Sequence, residues 1–105
     1  MKQQTIQRQE RKSNLPIYWK LVEWDKVENN LKWEHEKLPY HNCEIIPMSW
    51  CGGYWDNKKI EEGYKFRVDF HSRQHTTKYF YSLRATKKYC YKWLAKVNEW
   101  NNINE

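Results

Sequence analysis

No apolar run in this 105-residue chain is longer than a few residues, against the roughly 20 that a membrane-spanning helix requires. A transmembrane segment is not expected. Cysteine is scarce: Cys43, Cys51 and Cys90 are odd in number and irregularly spaced, which argues against a disulfide framework and for a reducing, intracellular compartment. No Gly-rich phosphate loop and no nucleophile motif is present, so the chain offers no signature of an enzyme. The first 14 residues (MKQQTIQRQERKSN) lack the apolar stretch of a secretory signal and read as a flexible basic tail. Aliphatic residues are few as well, with six Leu, six Ile and four Val.

Aromatic residues take their place. Seven Trp, eight Tyr and three Phe make up 17% of the chain, enough large side chains to build the core of one compact domain and to exclude wholesale disorder. A domain of this size buries only about 60 to 70% of the surface its unfolded chain exposes, so some rings stay in contact with solvent.

Charge is the first functional clue. The formal net charge is +6, yet residues 1–63 are balanced, with ten basic and ten acidic side chains. Residues 64–105 carry nine basic side chains against three acidic ones, and between Lys65 and Lys96 the only acid is Asp69. Such a block of positive field attracts phosphates, acidic proteins or anionic lipid.

The pattern along the chain predicts an α+β fold: a three-stranded antiparallel sheet packed on one C-terminal helix, with an additional N-terminal hairpin. Residues 15–48 hold the hairpin extension, in which Ile17, Trp19 and Leu21 and then Leu31, Trp33 and His35 alternate with polar residues about a turn at Asn29 and Asn30. A helix through Trp24, Val27 and Leu31 is the alternative. Leu38 to Asn42 reads as a loop and a plausible boundary. Residues 49–105 form the sheet-plus-helix unit, with a short strand around Trp50 to Trp55 and a polar loop from Asp56 to Gly63. Tyr64, Phe66, Val68 and Phe70 alternate with Lys65, Arg67, Asp69 and His71, the mark of a strand with one apolar and one charged face. Thr76 to Ser82 is its return strand. Thr86 is a suitable N-cap for an amphipathic helix from Lys87 to about Trp100, whose apolar face carries Tyr89, Cys90, Trp93, Leu94, Val97 and Trp100. Lys88, Lys92 and Lys96 repeat every four residues on another face.

The candidate site is the charged face of that sheet. Lys65, Arg67 and His71 from one strand, Arg73 from the turn, and Thr77, Lys78 and Tyr79 from the return are the candidate DNA contacts. Periodicity leaves open whether Thr77, Tyr79 and Tyr81 or Thr76, Lys78 and Phe80 face outward; Phe80, the most apolar, is placed inward. A β-ribbon of this kind fits the major groove, where Arg reads guanine and Lys and Thr hold phosphates. Other constellations are weaker. His41, Cys43 and Cys51 with His71 or His75 lack zinc-ligand spacing, and no metal or other cofactor is expected. Asp69, His71 and His75 with Glu44 and Asp56 are not forced together as a nuclease would need, and Asp69 reads as the balance of Arg67 or Lys78. Trp19, Trp24 and Trp33 read as core before they read as an aromatic platform.

The segment from Ser49 to Trp100 resembles the Apetala-two (ethylene-response-factor) DNA-binding domain, its apicomplexan branch in particular, and the arm-type domain of phage integrases. Gly53-Tyr54-Trp55-Asp56 stands for the first strand, Phe66-Arg67-Val68-Asp69 for the second and Lys78-Tyr79-Phe80 for the third, with Cys90 and Leu94 at the small and apolar helix positions. The resemblance implies that the sheet lies in the major groove of double-stranded DNA, with Lys65, Arg67, His71, Thr77 and Tyr79 as base and phosphate contacts, in transcription regulation or recombination and in the nucleus. Cys90 stands where that family usually has Ala, and residues before Ser49 have no counterpart in it. Neither a membrane nor a small-molecule substrate is expected. The alternative is a protein-interaction module that uses exposed Trp and Tyr as hot spots.

Overall fold

The computed structural model describes residues 15–103; the tail over residues 1–14 and the end at 104–105 lie outside the described residues. Five strands form one antiparallel sheet in the order of the sequence: β1 (Trp19–Asp25), β2 (Asn30–His35), β3 (Asn42–Pro47), β4 (Phe66–His71) and β5 (His75–Phe80). A 3-10 turn (Met48–Trp50) and helix α1 (Tyr54–Glu61) connect β3 to β4, and helix α2 (Leu83–Trp100) follows β5. None of the described helices is long and apolar enough to cross a membrane.

The expected α+β class with a C-terminal helix on an antiparallel sheet is observed, with two corrections. The sheet has five strands in place of the expected three: Asn42–Pro47, not Trp50 to Trp55, is the strand beside β4, and the N-terminal hairpin joins it edge to edge through β2 and β3. Leu38 to Asn42 is no boundary but a tight connection between paired neighbours, closed by the His35 N–H donating to the His41 carbonyl at 3.1 Å. The second correction concerns residues 50–63, where a strand and a loop give way to a helix. Gly53, with φ of 101°, ends the extended run. Tyr54 onward then coils into α1, with Asp56 in its first turn and Lys58 and Lys59 in its last, as the helix dipole favours.

The first hairpin turns at the asparagine pair. Asn29 takes φ of 64°, and the Asp25 carboxylate accepts the N–H groups of Val27 and Glu28 at 3.1 Å each. Alternation fails in β1 because a bulge shifts its register between Leu21 and Glu23, so that Leu21 opposes Trp33 while Trp24 opposes Leu31. Trp19 and Trp33 are buried as expected, but Trp24 is 57% exposed.

One face of the sheet carries Trp19, Leu31, Trp33, Cys43, Ile45, Val68 and Phe70, and α2 covers it with Cys90, Leu94 and Val97. Phe66, Phe80, Tyr91 and Trp93 pack around that core, which puts Phe80 inward, as its apolarity implies. Helix α2 starts four residues before the expected Lys87. Ser82 is the N-cap, accepting the Ala85 N–H at 3.2 Å, and Thr86 lies a turn further in with its hydroxyl donating to the Ser82 carbonyl at 2.6 Å. Tyr89 and Trp100, expected on the apolar face, are 39% and 58% exposed.

Polar anchors fix α2 across the first strands. Trp19 Nε1 donates to the Leu94 carbonyl at 3.0 Å, and Asn98 Nδ2 donates to the Ile17 carbonyl at 2.9 Å. Both Cys43 and Cys90 are enclosed between sheet and helix, and burial pushes the Cys43 thiol up, which keeps it protonated and inert. Cys43 is therefore not accessible to the metal set considered with His41 and Cys51.

Candidate functional site

The face of the sheet away from α2 is the one expected to be an open cationic surface; its β4–β5 half is instead an Arg67-centred cluster of charges of both signs. Arg67 projects from β4 into a cluster of acids. Its Nη1 donates to Asp56 Oδ2 at 2.8 Å and its Nη2 to Asp69 Oδ2 at 3.0 Å. The remaining carboxylate oxygens are taken by neighbours on β5: Tyr79 donates to Asp56 Oδ1 at 2.8 Å and Thr77 to Asp69 Oδ1 at 3.1 Å. Burial, reinforced by the Asp56 carboxylate, pushes the Tyr79 hydroxyl up to about 12, so it remains a donor. Arg67 Nε is buried and has no hydrogen-bond partner among the described residues.

Of the seven expected contacts, Arg67, Thr77 and Tyr79 therefore come together, but around carboxylates. His71 and His75 face each other across β4 and β5 and stack at 4.2 Å between ring centroids, at an angle of 9°. Arg73 stands exposed in the turn between these strands, and Lys65 is exposed just before β4. Lys78 is not on this face. Its register partner is the buried Val68, so it projects on the α2 side, where its Nζ lies 5.5 Å from the Tyr89 ring centroid. An inward Phe80 requires that outcome, since side chains two apart on a strand share a face.

Further along the same outer face the signs are mixed. Glu44 on β3 opposes Asp69 and accepts from Asn30 Nδ2 at 3.0 Å, while Lys32 lies 3.9 Å from Glu34 on β2. The positive excess is elsewhere, on α2. Arg84, Lys87, Lys88, Lys92 and Lys96 are all exposed, and none is within ion-pair distance of a carboxylate among the described residues. Arg84, Lys88, Lys92 and Lys96 follow one another at four-residue steps, so with a rise of 1.5 Å per residue the row runs about 18 Å along the helix.

Asp56 and Lys59 belong to the site although sequence reasoning leaves them out. Their segment has no apolar periodicity and so resembles a loop; the available signal is an acid shortly after Gly52-Gly53 with lysines following, the charge order of a helix start and end. Lys59 Nζ sits 5.2 Å from the Tyr64 ring centroid and 5.4 Å from that of Tyr79. Trp50, Tyr54 and Trp55 are 48%, 67% and 70% exposed, with Tyr54 edge-on to Trp55 at 5.1 Å.

No family model, no curated protein and no solved structure matches this chain. The resemblance to the Apetala-two and integrase arm-type domains finds no support in these comparisons. At Gly53-Tyr54-Trp55-Asp56, where that family has a strand, this chain begins a helix.

Proposed function

We propose that the protein is a non-catalytic module that binds double-stranded DNA, with the exposed row on α2 as its principal phosphate contact. The observation that carries this reading is the set of five cations, Arg84, Lys87, Lys88, Lys92 and Lys96, free of acidic partners among the described residues on one helix. Each cation that neutralises a phosphate releases condensed counterions, which is the main source of affinity for duplex DNA. Lys65 and Arg73 are exposed at opposite ends of β4, apart from the α2 row. Base reading by Arg67 requires it to leave Asp56 and Asp69, so sequence selectivity is secondary to phosphate binding here. The reading places the chain in the nucleus, in transcription regulation or recombination.

Fluorescence anisotropy on a labelled duplex across a salt series tests it. Affinity is expected to fall linearly on a log–log plot, and Lys88→Ala with Lys92→Ala to reduce the slope by about 0.9 for each phosphate that is no longer neutralised. A slope near zero would reject the proposal.

A protein-interaction role is favoured by one separate observation, the exposed aromatic group at Trp50, Tyr54 and Trp55. Such rings act as hot spots in protein interfaces. Binding through them depends little on salt, which separates the two readings.

A further inference from the structure

Helix α1 is an unusual element because almost nothing apolar holds it. Of its eight residues only Asp56 is buried, while Tyr54, Trp55 and Ile60 are 67%, 70% and 41% exposed. A helix this short is not stable alone. Its attachment to the sheet is polar: the Asp56 carboxylate on Arg67 and Tyr79, and the Lys59 ammonium over the rings of Tyr64 and Tyr79. Both ends are marked by glycine in a conformation that side chains resist, Gly53 at φ of 101° and Gly63 at φ of 97°. A Cβ on Gly52 or Gly53 would meet no atom within 4 Å, so nothing packs against the chain at these two positions where it enters α1.

What lies beneath α1 has the composition of an oxyanion site. Arg67 offers a guanidinium edge and Tyr79 a hydroxyl that keeps its proton, and both are aimed at one anionic group. Asp56 supplies that group from within the chain. Its two oxygens satisfy Arg67 Nη1 and the Tyr79 hydroxyl, Asp69 satisfies Nη2, and Nε is left without a partner among the described residues. A phosphodiester presents two anionic non-bridging oxygens, as a carboxylate does, and accepts bidentate Arg donation.

We infer that Arg67 and Tyr79 form a second phosphate seat, on the face of the sheet opposite α2, which Asp56 occupies in the free protein, and that α1 is a hinged latch displaced when a phosphodiester of DNA held on that face takes the place of that carboxylate. The identity of the ligand rests on the DNA-binding reading; the latch rests on the geometry of α1 alone. Displacement trades one anion on Arg67 for another, so the guanidinium is not left bare in the interior at either end of the exchange. It also brings Lys59 free of Tyr64 and Tyr79 and opens the β4–β5 face.

The experiment uses the full chain as wild type, Asp56→Asn, and Glu61→Gln as a control that removes the same charge from an exposed position on α1. In hydrogen exchange without ligand, the amides of residues 54–61 in Asp56→Asn are expected to exchange about tenfold faster than in wild type, with those of β4 and β5 unchanged. Tripolyphosphate and a labelled duplex are then titrated separately. Both are expected to bind Asp56→Asn about fivefold tighter than wild type or Glu61→Gln, and Arg67→Gln added to Asp56→Asn to abolish the gain. Equal acceleration of α1 and the sheet, or an equal gain in Glu61→Gln, overturns the latch. Duplex binding with no gain in Asp56→Asn also overturns it while leaving the DNA reading intact. A gain for tripolyphosphate with no duplex binding by any form supports the seat and overturns the DNA reading.

Discussion

His35 on β2 and Asn98 on α2 meet at 2.7 Å, Nε2 to Oδ1, and the surroundings determine which way the proton points. His35 Nδ1 accepts the backbone N–H groups of Lys37 and Leu38 at 2.9 and 3.1 Å, so Nε2 carries the hydrogen and donates to Asn98. Protonation would set a second N–H against two donors. Burial lowers the His35 pKa from the ordinary 6.5, against the opposing effect of the Asn98 hydrogen bond. The unfolded chain therefore takes up the proton first as pH falls. The contribution of His35 to stability is expected to be full well above pH 6.5 and to be lost progressively as pH falls through 6.5 towards the lowered folded-state value. Thermal melts at about pH 7.5, 6.5 and 5.5 check this, and His35→Gln should flatten the trend over that range.

Arg67→Ala is expected to lower stability by about 2 to 4 kcal/mol, because it leaves Asp56 and Asp69 close together without the guanidinium that both accept from. The Arg67 side chain is 26% exposed, which favours the lower end of that range. Urea denaturation measures it. A change below about 0.5 kcal/mol would mean that water solvates these carboxylates and that the network contributes little.

Trp19→Phe removes the indole donor to the Leu94 carbonyl while keeping an aromatic ring. The expected cost is about 1 to 3 kcal/mol from the missing hydrogen bond and the smaller packing area. An unchanged denaturation midpoint would show that the bond between the first strand and the last helix adds nothing to stability.

Trp55→Ala, in contrast, is expected to change stability by less than about 0.5 kcal/mol, since the ring is 70% exposed and its neighbour Tyr54 is also outside. A larger drop in a thermal melt would place this ring in the fold itself and remove it from the candidate interaction surface.

The parts of the fold that are legible in the sequence are those where one period governs a whole element. Phe66 to His71 alternates cleanly because β4 lies inside the sheet with one face on the core, and the α2 stripe of Cys90, Leu94 and Val97 reads at helical spacing because it lies against a single layer. The hairpin turn at Asp25–Asn30 is legible from asparagine chemistry. Two features hide the rest. The bulge in β1 breaks alternation at Val22, which obscures that the hairpin continues the sheet. Helix α1 has a buried carboxylate where a helix ordinarily has an apolar stripe, so periodicity has nothing to report. The candidate site follows the same divide. The face shared by Arg67, Thr77 and Tyr79 is legible, but its acidic partner comes from the concealed helix, and the lysine repeat on α2 is visible in the sequence without any sign that it outweighs the sheet.

The order of the strands has a consequence for biosynthesis. Each strand pairs with the one made just before it, so the sheet needs only short-range closures and can assemble in step with translation. Its greasy side, with Trp33, Ile45 and Phe70, has no cover until the stretch bearing Leu94 clears the ribosome. Trp19 waits 75 residues for its carbonyl. A nascent chain paused between Phe80 and Leu94 is the species that chaperones would hold and that aggregation would claim.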